Sequence, residues 1–149
     1  MRDKITDALK TALKSGDRER SGTLRLVNAA IQDRDIANRG TGKPAATDDE
    51  VMQILAKMVK QREESAKAFD DGNRPELAAK ERSEIEIIRG FLPTQMDDAA
   101  TQQAIRDVIA ETGAAGVRDM GRVMAALREK YVGQMDFGKA SGVVKSLLQ

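Results

Sequence analysis

The chain has 149 residues, of which 40% are hydrophobic, 33% charged and only 3% aromatic. Its 25 Lys and Arg balance 24 Asp and Glu, and it contains neither His nor Cys. Disulfides and thiolate metal sites are thereby excluded, and the commonest general base and metal ligand is missing. A near-neutral balance gives no global attraction to polyanions, so any nucleic-acid contact must come from a local patch. With so few aromatics the core must be built from Leu, Ile, Val, Met and Ala, a palette that favours helices over sheets. Nowhere do roughly 18 apolar residues run together, as a membrane span requires. Met1 to Ala12 already alternates charge with apolar residues, so the expectation is a cytoplasmic protein with no membrane partner.

The first helix is expected where Ile5, Ala8, Leu9, Ala12 and Leu13 recur at helical spacing, with Gly16 as its stop. Asp17 stands where a cap for the second helix belongs, and that helix turns Leu24, Val27, Ala30, Ile31 and Ile36 toward the core. Two Gly and a Pro in Arg39-Gly40-Thr41-Gly42-Lys43-Pro44 break the period and predict a loop. Thr47-Asp48-Asp49-Glu50 has the spacing of a capping box, so a third helix follows from Val51 to Asp70. Val51, Ile54, Leu55, Met58, Val59, Ala66 and Phe69 line one side of it, and Asp71-Gly72-Asn73 ends it. Pro75 suits the first turn of a fourth helix, whose apolar stripe is Leu77, Ala78, Ile85, Ile88 and the Phe91-Leu92 pair.

Gly90 and Pro93 close that segment, and the boundary between two domains, 1–93 and 94–149, is placed there because a helix does not easily run through the residue before Pro. Beyond it, Asp97 caps a fifth helix with Ile105, Val108 and Ile109 inward and Gly113 as its stop. A sixth spans Val117 to Tyr131 on Met120, Val123, Met124 and Leu127. Asp136 caps a last helix with Phe137, Ala140, Val143, Val144, Leu147 and Leu148 inward. No period-2 run is long enough for a sheet. The expected class is all-α, an N-terminal four-helix part followed by a small three-helix bundle.

No self-sufficient catalytic site emerges. Gly40-Thr41-Gly42-Lys43 fails as a phosphate loop, because Ala37 and Pro44 occupy the positions of an obligatory Gly and of the Ser or Thr. Ser15, Ser21, Ser65, Ser83, Ser141 and Ser146 would each need a Lys or carboxylate base in place of His. The carboxylate pairs Glu63-Glu64, Asp70-Asp71 and Asp97-Asp98 sit side by side on helices. Adjacent helical residues diverge by about 100°, so these pairs suit capping and solvation better than a shared cation. Neither a catalytic residue nor a cofactor nor a metal is therefore assigned. Lys57 and Lys60, with Gln61, Arg62 and Lys67, place cations along the third helix among Glu63 and Glu64. That pattern reads as a solvated face with i,i+4 pairs, and as a phosphate-binding face in the alternative. In the C-terminal part Arg118, Arg122, Arg128, Lys130, Lys139 and Lys145 stand against a similar number of acids. With one Tyr and one Phe there, RNA would be met through shape and phosphates rather than base stacking.

Several strings go further than composition. Leu24-Arg25-Leu26-Val27-Asn28-Ala29-Ala30-Ile31, Lys60-Gln61-Arg62-Glu63-Glu64-Ser65-Ala66, Ala78-Ala79-Lys80-Glu81-Arg82-Ser83-Glu84-Ile85-Glu86 and Phe91-Leu92-Pro93-Thr94-Gln95-Met96 follow one another in order. Asp119-Met120-Gly121-Arg122-Val123-Met124 and Gly133-Gln134-Met135-Asp136 continue them. Together these resemble the YqeY family over nearly the whole chain. That family is similar to the C-terminal tail of GatB, a subunit of the tRNA-dependent amidotransferase, and similar modules are appended to a glutaminyl-tRNA synthetase.

The resemblance implies an accessory module that binds tRNA, with amidotransferase subunits or an aminoacyl-tRNA synthetase as further partners. A protein-interaction adaptor is the alternative. The family label also implies carbon–nitrogen ligase activity with glutamine as donor, for which the residues supply no machinery. Gln134 departs from the basic residue usual at its position in the family, which leaves Arg122, Lys139 and Lys145, with Lys57 and Lys60, as the candidate RNA contacts.

Overall fold

A computed structural model describes residues 1–149, and the chain is all-α. Its elements are α1 (Arg2–Ser15), α2 (Arg18–Gly40), α3 (Asp48–Asp71), α4 (Pro75–Arg89), α5 (Asp98–Thr112), a 3-10 turn (Val117–Asp119), α6 (Met120–Tyr131) and α7 (Phe137–Leu148). Side chains that bond the free amides of a first turn set most of the helix starts. Asp17 accepts from the Arg20 amide at 3.1 Å, Asp97 from the Ala100 amide at 2.7 Å, and Asp136 from the amides of Gly138 and Lys139. Thr47 and Glu50 form a reciprocal capping box on α3. Gly16 and Gly113, both in the left-handed region at φ 74 and 66, end α1 and α5 without the steric cost a Cβ would bring.

The chain divides into two compact units, Met1–Leu92 and Pro93–Gln149. In the first, α3 packs chiefly on α4, and α1 and α4 both pack on α2. Ile5, Leu24, Val27, Ile31, Val51, Leu55, Met58, Ile85 and Ile88 fill its core. In the second, α5, α6 and α7 pack pairwise around Ile105, Val108, Val123, Leu127, Ala140 and Val144. No helix is long and apolar enough to cross a membrane.

Four expectations need correction. The sixth helix starts at Met120 rather than Val117. The Asp119 carboxylate accepts from the Ala115 amide at 2.9 Å while its own amide bonds the Gly116 carbonyl, which winds Val117–Asp119 into a tighter turn. The second helix runs through Arg39 to Gly40, so the loop begins at Thr41. Ile36 is 64% exposed, because it lies five residues from Ile31 and so about 140° away around the axis. Leu13 and Leu147, each next in sequence to a buried residue, are turned out in the same way.

The first unit is tied across its elements by two carboxylates. Asp35 on α2 receives both terminal nitrogens of Arg2, at 2.8 and 2.7 Å, and the Ala46 amide at 2.7 Å. Glu50 at the start of α3 receives Arg34 Nε at 2.8 Å and Asn38 Nδ2 at 3.1 Å, both from α2.

Two tests follow from this architecture. Ile88 is fully buried, so Ile88→Ala should cost about 2–5 kcal/mol through lost burial and the cavity left behind, read by urea unfolding. The Arg2 guanidinium, then the Ala46 amide, hold the Asp35 carboxyl at about 2, below its ordinary 3.8. A depressed folded pKa contributes stability that is complete above about 4 and disappears as pH falls through about 2. The wild type should therefore lose more stability across that acid window than Asp35→Asn does, measured by thermal unfolding at each pH.

Candidate nucleic-acid interface

Two open grooves of equal size, about 420 Å³ each, differ in charge. The groove between α3 and α4 has Ala66 and Ile85 beneath Glu63, Lys67, Asp70, Arg82, Glu86 and Arg89. Its guanidiniums are already used, since Arg82 pairs with Asp70 and Arg89 with Glu63 across the two helices. These pairs hold Asp70 below and Arg82 above their ordinary pKa values, chiefly through the direct hydrogen bonds. Charge is balanced within this groove, with three cations against three carboxylates, and its two guanidiniums are not free to hold an anion.

The groove between α5 and α7 contains cations and no carboxylate. Gln102 and Arg106 face it from α5, and Lys139, Gly142, Val143, Ser146 and Leu147 from α7. The α7 residues fall at steps of three and four, which places them on one helical face. The groove is open above Gly142, where a Cβ would meet nothing within 4 Å. The ion pairs of this unit are Arg122–Asp119 and Lys130–Glu111, so neither Arg106 nor Lys139 is neutralised by a partner. Asp107, next to Arg106 in sequence, accepts instead from Gln103 at 2.9 Å. Two exposed cations thus stand over an apolar patch of Val143 and Leu147, beside the Ser146 hydroxyl. That arrangement can hold a phosphodiester while packing aliphatic groups against a sugar or base edge.

The five candidate residues divide among separate places. Lys139 lies in the α5–α7 groove. Lys145 is exposed six residues further on, about 120° away around α7. Arg122 is on α6 and already faces Asp119 at 3.4 Å. Asp119 sits below its ordinary pKa, first through the Ala115 amide and then through Arg122. Lys57 and Lys60 are exposed neighbours on α3, outside any ion pair, and Lys67 continues their line into the charge-balanced groove. Arg106 went unnoticed in the sequence because the adjoining Asp107 masks it there. No spacing within α5 could have signalled it, because its role depends on how α5 lies against α7.

The strings shared by α3 and α4 serve a seam between them. Arg62 donates to Glu84 at 3.0 Å and to the Met58 carbonyl at 3.3 Å, with only 14% and 15% of the two charged side chains exposed. At that degree of burial the pair is structural rather than available to a ligand.

Fold and grooves together define a two-unit helical protein with one groove, between α5 and α7, that is lined by cations and no carboxylate. The chain belongs to the YqeY family, since the family model for Yqey-like protein matches residues 2–148. It is similar to an uncharacterized protein of Schizosaccharomyces pombe, 34% identical over 89 residues that make up 60% of this chain and 69% of that one. It is also similar to Altered inheritance of mitochondria protein 41, mitochondrial, at 33% over 93 residues in Clavispora lusitaniae and 29% over 84 residues in Saccharomyces cerevisiae. Those matches take in 60% and 56% of this chain but span about half of the relatives' own length, 52% and 44%.

The seam carries its own test. Arg62→Met leaves the largely buried Glu84 without its donor and should destabilise the protein by about 1–3 kcal/mol in denaturant unfolding. Replacing Arg62 and Glu84 together by Met and Leu should recover part of that loss.

Proposed function

We propose that this protein is an accessory tRNA-binding module of the tRNA-dependent amidotransferase type, contacting RNA through the α5–α7 groove. The observation that carries this reading is the unneutralised pair Arg106 and Lys139 over a groove without a carboxylate. In a chain whose cations and anions nearly cancel, such a local excess is what phosphate recognition requires. The membership of the YqeY family supports the choice of tRNA, through the similarity of that family to the GatB tail. The contact is to backbone phosphates, so affinity depends on salt and little on base sequence. Lys145 on α7 and Arg122 on α6 lie outside the groove and are proposed only as secondary contacts, and Lys57 and Lys60 on α3 are a separate site of weaker claim.

Fluorescence anisotropy with labelled tRNA across 50–200 mM salt tests the reading. Arg106→Gln combined with Lys139→Gln should weaken binding and reduce the slope of log affinity against log salt by about 1.4–1.8, as expected for two lost phosphate contacts. An unchanged slope and affinity would remove the groove from the interface. Failure of the wild type to bind better than an unrelated neutral helical protein would reject the module reading altogether.

A further inference from the structure

Only one side of α2 serves the core of the first unit. Leu24, Val27 and Ile31 are at most 3% exposed there, whereas on the other side Leu26 is 50% and Ile36 64% exposed. At about 100° per residue, Gly22, Leu26, Ala29, Asp33, Ile36 and Gly40 fall along one line, about 180° from the core side. Their spacing alternates between four and three residues, the spacing of a seam that packs against another helix. Two large apolar side chains and an Ala flank one carboxylate, with a Gly at each end where two backbones can approach closely.

We propose that this line pairs with the same line of a second copy of the chain, α2 against α2, antiparallel about a two-fold axis at the level of Ile31 along the helix, midway between Ala29 and Asp33. The positions of the line are evenly placed about that level, with Gly opposite Gly and Leu opposite Ile. Gly22 and Gly40, Leu26 and Ile36, and Ala29 and Asp33 lie equidistant on either side of it. An antiparallel two-fold therefore sets Leu26 on Ile36 of the second copy, and Ile36 on its Leu26, as an isologous interface requires.

Charge selects the direction. Parallel pairing would set Asp33 against Asp33, which is repulsive, whereas antiparallel pairing sets Asp33 beside Ala29 of the second copy, one turn from its Arg25. Arg25 and Asp33 are both exposed and have no ion-pair partner within the chain, while Arg34 and Asp35 of the same helix are held by Glu50 and Arg2. The other cation near this margin, Arg39, is close enough to Asp35 of its own chain to favour that carboxylate's ionised form. A contact confined to one 23-residue helix is at the low end of specific interfaces. The expected species is accordingly a weak, concentration-dependent dimer.

Sedimentation of the full chain from about 5 to about 500 μM reads the dissociation constant directly, with far-ultraviolet circular dichroism to confirm that every variant keeps its helices. The wild type should pass from monomer to dimer within that range, and Leu26→Lys should weaken the dimer at least about tenfold, some 1.4 kcal/mol. Arg25→Glu and Asp33→Arg should each weaken it by a similar factor. The double variant should return to within about threefold of wild type, because the exchanged charges attract again. A monomer at every concentration, or a dimer indifferent to Leu26→Lys, overturns the proposal. A double variant no better than the singles overturns the antiparallel register.

Discussion

The carboxylate of Asp35 is the point at which the first unit is fixed. It belongs to α2, yet it takes the guanidinium of Arg2 from the start of α1 and the amide of Ala46 from the loop before α3. Three segments distant in sequence therefore meet on two oxygens. Ala46 is itself buried, so its amide would pay a desolvation penalty without this acceptor. With Ala46 held, Thr47 is placed to cap α3, and Glu50 can turn one oxygen to its own helix start and the other to Arg34 and Asn38. The direction of α3, and with it the α3–α4 seam closed by Arg62 and Glu84, follows from that anchoring.

Because the structural ion pairs are so specific, the residual charges become informative. Arg2, Arg34, Arg62, Arg82 and Arg89 are each spent on a carboxylate of the first unit. In the second unit Arg122 and Lys130 are similarly engaged. Lys130 is held above its ordinary pKa chiefly by its hydrogen bond to Glu111. Exposed ion pairs of this kind add little stability, yet they remove cations from the set that can meet a polyanion. Arg106 and Lys139 survive that subtraction and share one groove, which net charge alone would never reveal.

Helix starts were legible in the sequence because they depend on bonds over two or three residues. Asp17, Thr47, Asp97 and Asp136 cap where their positions suggested. Core faces were legible for the same reason, since Leu24, Val27, Val51, Leu55, Ile105 and Val123 repeat at helical period. Periodicity identifies an apolar face but not whether another element covers it. Ile36 and Leu147 have the right composition for a core and no neighbour to bury them. The tight turn at Val117–Asp119 was hidden because it rests on a carboxylate bonding backward to Ala115. The Arg106–Lys139 groove depends on how α5 lies against α7, and no spacing within either helix encodes that.

The exposed apolar residues of α2 carry the same logic one step further. A Leu at 50% and an Ile at 64% exposure would each be unremarkable as isolated cases. Placed on one line with Ala29, and with unpaired charges of opposite sign at Arg25 and Asp33, they form an apolar seam with complementary charges. Packing within the unit does not use this line. An antiparallel pairing of this face with itself sets Leu26 against Ile36 and brings Asp33 within a turn of Arg25, which is the basis of the proposed self-contact. In the other unit Arg106 and Lys139, which have no ion-pair partner in the chain, are the cations on which the proposed phosphate contact rests.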